Sequence, residues 1–420
     1  VAMVLARAGE GLTAGFVMMG AMLAAAALAL VPLLAAGLAR LSARLSARGD
    51  APLLAWAAAD ARQNLAGLSL ALMALLLALA VNVGVGTMVG GFRLTFTDWL
   101  DDRLAAEAYV RAPDAAGAEA LVAWLEGREE VRAVLPEAQA ETALDGWPVE
   151  VRGFVDHATY RERWPLLSAI EAPWDRVAAG EAALISEQLA RRRGLGPGDA
   201  ISLPTPAGRA SWEVAAVYAD YGNPKGQVRL SLGAFASAFP GRPPEAFGLR
   251  LAPGTTEGLL RALEAPGGPP VAQSMDQAGL KRLSRTIFER TFAVTAALNA
   301  LTFAVAGLAL LTALATLGAS RLPQLAPLWA VGVPRRRLAA LELVKTVGLA
   351  VLTAALAVPL GVALAWALVA VINVEAFGWR LPLHLFPADW ARLAALAVAV
   401  SALAAALPLL RLARMPPARL

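Results

Sequence analysis

Residues Gln63–Phe92 read QNLAGLSLALMALLLALAVNVGVGTMVGGF, a run of 30 positions without a charged side chain. The hydrocarbon core of a bilayer is about 30 Å thick and is crossed by about 20 apolar residues of helix. This stretch has length to spare, so it reads as a membrane span. Working outward, four more stretches share the pattern: Gly11–Ala39, Thr291–Ser320, Thr346–Val374 and Leu393–Leu410, with 29, 30, 29 and 18 uncharged residues. Small residues let helix backbones approach closely in lipid. Gly84, Gly86, Gly307 and Gly361 are therefore expected to mark packing faces, and Pro32, Pro359 and Pro408 to kink their helices.

Composition agrees. Of 420 residues, 58% are hydrophobic and 17% charged, where a soluble domain has about 45–50% and about 25%. The mean hydropathy of +0.57 points the same way. A disordered chain is excluded and a purely soluble enzyme disfavoured. With no Cys there is no disulfide, Cys-ligated zinc, Fe–S cluster or catalytic thiol. His157 and His384 are the only histidines, which nearly excludes a multi-His metal site.

The net charge of +4 conceals a division. Arg93–Arg290 holds 22 basic and 27 acidic residues, and the rest of the chain 15 and 6. A pI of 9.8 would suit nucleic-acid binding, but the positive excess lies between apolar runs, so no nucleic-acid partner is expected. Twelve of those 15 basic residues fall in three segments, Arg40–Arg62, Arg321–Lys345 and the tail after Leu410, which alternate onto one side of the membrane. Positive loops stay in the cytoplasm. The cytoplasmic pieces are then 41–62 (an amphipathic linker), 321–345 and 411–420, the spans 1–40, 63–92, 291–320, 346–374 and 393–410, and the external pieces 93–290 and the loop 375–392. The N-terminus is expected outside. No basic n-region or A-x-A-type site precedes the first apolar core, so no signal peptide is expected. The chain is expected to be the back part of a longer membrane protein, truncated or split. The fold class is an α-helical integral membrane protein of about five spans with an inserted α+β extracytoplasmic domain.

Within that domain, Ala118–Gly127 has helical spacing, and Val131–Leu135 and Val149–Phe154 read as strands around the turn Asp145-Gly146. Ala182–Ser186 reads as a strand leading into a helix, Glu187–Arg193, then a turn at Gly194–Asp199. Further strands are expected at Ala200–Leu203, Ser211–Tyr218 and Gln227–Ser231. Catalytic chemistry finds little support. Ser186 has no Gly-x-Ser-x-Gly setting and is read as a surface serine at a helix start. The acid pairs Asp101-Asp102 and Glu129-Glu130 sit in charged, solvated segments. There is no Gly-x-x-x-x-Gly-Lys-[Ser/Thr] loop, so the chain does not bind ATP through a P-loop of its own. Arg191–Arg193 reads as a solvated helix end.

The segment Arg321–Lys345 is the most informative for function. Leu322, Leu325, Ala326, Trp329 and Val333 follow helical spacing. Pro323 and Pro327 are unusual in a helix, and Pro327 would remove a backbone bond. Gly332-Val333-Pro334 breaks the pattern, Arg335–Arg337 follows, and a second helix begins there. A short amphipathic helix lying across the cytoplasmic face and ending in a basic turn is expected.

The stretch Arg321…Leu328-Trp329-Ala330-Val331-Gly332-Val333-Pro334-Arg335-Arg336 resembles the linker between two spans of FtsX-like permeases, the MacB/LolC/LolE group of ABC transporters. The polar region agrees. Ala183-Leu-Ile-Ser186-Glu-Gln-Leu-Ala190, Gly194-Leu195, Gly198-Asp199, Gly208 and Trp212-Glu-Val-Ala-Ala-Val217-Tyr218 are similar to that family's periplasmic core domain. Ala219–Gly226 looks closest to the ten-span, YbbP-like branch, whose chains join two such halves; the leading span would be its connecting span. The resemblance implies a non-catalytic permease subunit in the bacterial inner membrane. It implies a separate ABC-type ATPase, in two copies, that brings the ATP and Mg, with no cofactor bound by this chain itself. Arg321, Leu325, Leu328, Trp329, Gly332, Val333, Pro334, Arg335 and Arg336 would be the ATPase-coupling residues. The other half-permease or a second permease copy, membrane lipid, and a periplasmic lipoprotein or hydrolase are the remaining implied partners. Lipid-like or hydrophobic cargo, or a lipoprotein, would be extracted or expelled. In the alternative, the same movement signals to an extracellular cell-wall hydrolase.

Overall fold

The computed structural model describes residues 11–48, 52–221, 223–330 and 332–414; the side chains of 291, 296, 317–330, 335 and 407–414 are not part of that description. The expected external N-terminus (1–10), Asp50, Gly222, Val331 and Arg419 lie outside the described residues. In chain order the elements are α1 (Gly11–Arg48), α2 (Pro52–Gln63), α3 (Leu65–Arg103), β1 (Ala108–Arg111), α4 (Ala115–Glu126), β2 (Val131–Leu144), β3 (Trp147–Phe154), α5 (Ala158–Arg163), β4 (Leu166–Ala169), α6 (Pro173–Ala178), β5 (Ala182–Ser186) and α7 (Glu187–Arg193). There follow β6 (Ala200–Thr205), β7 (Gly208–Tyr218), β8 (Gly226–Ser231), α8 (Leu232–Ala238), β9 (Ala246–Leu251), α9 (Thr256–Glu264), β10 (Gln273–Asp276), α10 (Gln277–Ala330), α11 (Arg335–Ala367), a π-helical turn (Leu368–Ile372), α12 (Asn373–Phe377) and α13 (Pro387–Arg414). Two compact units result. One holds the residues before Arg93, Phe292–Glu375 and those from Leu381 on; the other holds Arg93–Thr291 and Ala376–Arg380.

The first unit is helical. Among the described residues, five helices are long and apolar enough to cross a membrane: Gly11–Arg48, Leu65–Arg103, Gln277–Thr316, Arg336–Phe377 and Pro387–Ala406. Leu30, Leu34 and Leu38 recur every fourth residue on α1. Leu65, Leu68, Leu72, Leu75 and Leu79 alternate steps of three and four on α3. These stripes meet Leu349, Ala354 and Ala357 of α11 and Ala397 of α13 in one buried cluster. The opposite faces stay open, with Leu28, Leu70 and Leu403 exposed, as helices that present apolar surface to lipid require. Polar bonds also tie the helices. Asn82 Nδ2 donates to Thr302 Oγ1 at 3.0 Å, and Trp390 Nε1 to Thr87 Oγ1 at 3.0 Å.

The glycines divide. A Cβ on Gly361 would stand 2.5 Å from Val83 Cβ and 2.8 Å from Ala80 O, one on Gly84 3.1 Å from Gly361 O, and one on Gly307 2.7 Å from Val400 Cγ1. These three mark close helix contacts, as expected. Gly86 meets nothing within 4 Å and does not. Pro32 and Pro359 lie inside α1 and α11, and neither ends its helix.

The second unit is a mixed sheet with helices. Among the described residues it has ten strands, in the order β10-β1-β9-β2-β3-β8-β5-β7-β4 with β6 on β7. The β2–β3 hairpin pairs Glu137 with Phe154 through to Leu144 with Trp147. Its two-residue turn puts both Asp145 (φ 49°) and Gly146 (φ 79°) in the left-handed region, the backbone that fits the twist of the strands. β3 and β8 are parallel, as are β5 and β7. Alternating inward residues Val149, Val151, Ile201, Leu203, Val214 and Val228 build a core beneath α7 and α8. A second core joins Val110, Leu121, Leu125, Leu249 and Leu259.

The expected strand Val131–Leu135 runs nine residues further, to Leu144, because its outer half pairs with β3. The expected loop 375–392 is not all loop within the helical unit. Ala376–Arg380 belongs to the polar unit, where Arg380 N donates to Glu187 Oε1 at 3.2 Å and Trp379 meets Tyr221 edge-on at 6.2 Å.

Candidate coupling site

The turn between α10 and α11 is built from backbone chemistry. Gly332 has φ +99°, a conformation that side chains with a Cβ resist, and it follows the last helical residue, Ala330. Pro334, at φ −67° and ψ 144°, then opens α11: Arg337 N and Leu338 N donate to Pro334 O at 2.8 and 3.2 Å. Glycine to stop one helix and proline to start the next is the usual asymmetry of helix ends. The break at Gly332-Val333-Pro334 and the restart at Arg335 therefore stand as read from sequence.

The segment before the turn does not. A separate amphipathic helix was expected, and instead α10 runs unbroken for 54 residues from Gln277 to Ala330. Pro323 and Pro327 are accommodated within it. Each proline forfeits one backbone bond, yet neither ends the helix. Arg321, Leu325, Leu328 and Trp329 lie on this last stretch of α10; their side chains are outside the described residues, as is that of Arg335. Gly332, Pro334 and Arg336 are exposed and Val333 is half-buried. Arg337 is exposed beside Arg336, and Leu338 is buried at 4%. The first turn of α11 carries no acidic residue. Its arginines oppose the helix dipole, whose positive end lies here, at about 0.3–1 kcal/mol each.

A feature the sequence did not reveal lies two turns further on. Lys345 Nζ donates to Asp60 Oδ2 and Glu342 Oε1 and stands 5.3 Å from the centre of the Trp56 ring. Asn64 Nδ2 donates to Asp60 O at 2.9 Å and to its Oδ1 at 3.2 Å. Lys345 is 7% exposed. The network ties α2 to α11. In sequence these charges read only as parts of two basic linkers, because Asp60 and Lys345 are 285 positions apart.

One reading in the polar unit is corrected. Ser186 is not a surface residue: it is fully buried, and its Oγ accepts from Gln227 N at 3.0 Å. His157 spends its ring as a helix cap, Nδ1 accepting from Thr159 N at 3.2 Å. Arg191–Arg193 is a largely solvated helix end, as expected, with Arg191 and Arg192 exposed. Arg191 pairs with Glu187 at 2.8 Å, Arg193 with Asp145 at 2.6 Å, and Arg192 lies 4.7 Å from the Trp147 ring. Asp101 is held by Lys281 at 2.7 Å.

Among the described residues, five helices long and apolar enough to cross a membrane, with an inserted mixed sheet, define the class as an integral membrane protein of the α-helical type. The comparisons with known proteins name the family. The FtsX-like permease C-terminal family model matches residues 296–417, and the MacB-like periplasmic core domain model matches 68–265. The chain thus carries an FtsX-like permease C-terminal region and a MacB-like periplasmic core domain, each over the residues its model matches. It is 30% identical over 429 aligned positions to an uncharacterized ABC transporter permease protein of Mycobacterium tuberculosis, covering 97% of this chain and 49% of that one. The chain thus spans about half the length of the curated relative it matches. Among solved structures it is similar to the periplasmic region of MacB from Actinobacillus actinomycetemcomitans (11% identity, 43% of this chain and 94% of that one, TM-score 0.31). It is also similar to the extracellular domain of the noncanonic ABC-type transporter YknZ from Gram-positive bacteria (12%, 40% and 100%, TM-score 0.28).

Proposed function

We propose that this chain is the membrane subunit, or the C-terminal half of it, of an ABC transporter in the bacterial inner membrane. A separate ATPase, in two copies, binds ATP and Mg and presses on the turn Ala330–Arg336. This chain does no covalent chemistry. It passes the movement along α10 and α3, whose backbone bonds are satisfied internally, to the polar domain outside. A second permease half completes the path. The cargo is lipid-like or hydrophobic, or a lipoprotein, taken from the outer leaflet or the periplasm.

The observation that carries this reading is the basic first turn of α11. Arg336 and Arg337 stand exposed there against the helix dipole, an arrangement that suits a negatively charged partner surface. The test is purification of the chain with its ATPase from native membranes, for the wild type and for the double change Arg336→Glu, Arg337→Glu. The wild type is expected to recover ATPase activity, and the charge reversal to lower it by about tenfold, a loss of one to two charge-assisted contacts. Equal recovery from both chains would sink the coupling role. ATP-dependent release of lipid from proteoliposomes distinguishes transport from the signalling alternative, in which a cell-wall hydrolase is activated and no cargo moves.

A further inference from the structure

At its C-terminal end α1 carries Arg40, Arg44 and Arg48, and residues 11–48 hold no other charged side chain. Steps of four along a helix of 3.6 residues per turn put the three on one face. All three are exposed, and among the described residues none has an ion-pair or hydrogen-bond partner. Like charges at this spacing repel one another and weaken the helix that carries them. The other faces of α1 are occupied here. Ser42 Oγ donates to Ala55 O at 3.1 Å, so α2 covers the side on which Ser42 lies. Leu34 and Leu38 enter the buried cluster with α3 and α11.

The face of the arginine ladder is apolar toward the span. Gly37 and Leu33 precede Arg40 on the same helical line. Leu33 is 54% exposed, and a Cβ on Gly37 would meet nothing within 4 Å, so the line is open and has a notch at Gly37. Leu41, which flanks the ladder, is 45% exposed. Exposed leucines among arginines suit a helix leaving hydrocarbon, where arginine stems lie along the apolar layer and their heads reach out of it. The uncharged run of α1 ends at Ala39, directly before the ladder. At 1.5 Å of rise per residue, Arg40 and Arg44 stand about 6 Å apart along the axis. Both therefore fit within one headgroup layer, which is about 5–8 Å deep.

We propose that this face of α1 is a binding site for an anionic phospholipid. An acyl chain lies in the notch at Gly37 against Leu33, and Arg40 and Arg44 hold the headgroup phosphate through charge-assisted, forked hydrogen bonds. Arg48 stands about 6 Å further out, within the screening length of about 8–10 Å, and adds attraction from there. A zwitterionic lipid offers the same phosphate but brings a cation of its own, which the ladder repels. The net negative charge of the lipid is therefore what the site selects. An acidic protein surface would match the arginines and leave Leu33, Gly37 and Leu41 unmatched. The site goes beyond the transport reading: it needs no ATPase and works the same on either face of the membrane.

The experiment uses the full chain in bilayers without any ATPase. A fluorophore is placed on Ala36→Cys, one turn before Arg40, in a chain that has no other Cys. Quenching by brominated phosphatidylglycerol and, separately, by brominated phosphatidylcholine reads the relative affinity of the two lipids at this face. Each basic residue at an anionic lipid contributes about fivefold, so the wild type is expected to prefer phosphatidylglycerol by about tenfold or more. The double change Arg40→Gln, Arg44→Gln should bring the ratio to within about twofold of parity, whereas Arg40→Lys, Arg44→Lys should keep most of the preference. If the Gln variant fails to fold, the wild type still serves: raising the salt from about 0.05 M to about 0.5 M should lower its preference. A preference indifferent to salt, or one that a folded Gln variant retains, would overturn the proposal. So would equal quenching by the two lipids in the wild type; an acidic protein recovered with the wild type and lost with the Gln variant would then be the ladder's occupant.

Discussion

At the scale of single residues, two charges make contrasting statements. Lys345 is a cation held between two carboxylates, Asp60 and Glu342, on the helical unit. Its removal takes from Asp60, half-buried on α2, the cation that faces it, and breaking such a pair costs up to about 3–5 kcal/mol. Lys345→Met should therefore lower the Tm of the chain in detergent sharply. The double change Lys345→Met, Asp60→Asn should recover part of the loss, because one uncompensated charge is gone. A single variant with an unchanged Tm would show that the network is solvated and contributes little. Glu137 makes the opposite case, an anion among cations. Burial alone would raise its carboxyl, but Arg229 and Arg152 overcome that and hold it at about 2, below the usual 4.5. A carboxyl whose folded value is depressed stabilises the fold above its unfolded value, and this stability is lost as pH falls toward the folded one. The polar domain should then lose stability between about pH 4.5 and pH 2. Glu137→Gln should flatten that slope and cost stability at pH 7. Denaturation followed by tryptophan fluorescence from pH 7 to pH 3 checks both; a parallel slope in the variant refutes the assignment.

At the scale of elements, the helix crossing at Gly361 offers the sharpest contrast with a control. A Cβ there would strike Val83 and the Ala80 carbonyl, so Gly361→Ala must push α3 and α11 apart, at about 1–3 kcal/mol. Gly86 lies on the same α3 in open space, and Gly86→Ala should be neutral or stabilising by up to about 1 kcal/mol. Thermal melts of the two variants in one detergent should differ by several degrees; equal melts would mean that the crossing relaxes freely. The glycine pattern alone did not separate these positions, since spacing along one helix does not say which neighbour comes close. The same limit explains what sequence conveyed about the sheet. β5 and α7 were legible to the residue, because the run Ala182–Ser186 is buried on both faces and Gly194 closes the helix in the left-handed region. β1, β9 and β10 were not. They are short, and they pair with one another across more than a hundred positions, Ala108 with Leu249 and with Asp276. α10 was misread at Arg321, where the end of the uncharged run was taken to close the span, although the helix continues through it and through Pro323 and Pro327. At the candidate site, the turn at Gly332 was legible from glycine and proline chemistry. The Lys345 network was not, because it assembles charges that only the fold brings together.

At the scale of the whole molecule, everything proposed about coupling depends on which side each unit faces. Twelve basic residues lie in three segments separated by spans, and the remaining loops are close to neutral. Orientation follows such a bias because basic segments resist translocation. On the proposed orientation the basic turn at Arg336 would face the compartment that holds ATP, and the mixed sheet the opposite one. The absence of Cys from all 420 residues makes single cysteines clean reporters. Ser46→Cys, exposed at the end of α1, and Ala207→Cys, exposed in the β6–β7 turn, leave every Lys and Arg in place. A membrane-impermeant maleimide added to intact spheroplasts should label Ala207→Cys at once and Ser46→Cys only after permeabilisation. The reverse pattern would put the sheet in the cytoplasm and the arginines outside. No cytoplasmic ATPase could then reach the turn at Arg336, whatever family the helices belong to. Labelling of both sites without permeabilisation would mean an even number of crossings between Ser46 and Ala207. Among the described residues only α3 lies between them with the length and apolarity to cross, so that result would remove α3 from the set of spans and break the mechanical link on which the transport reading depends.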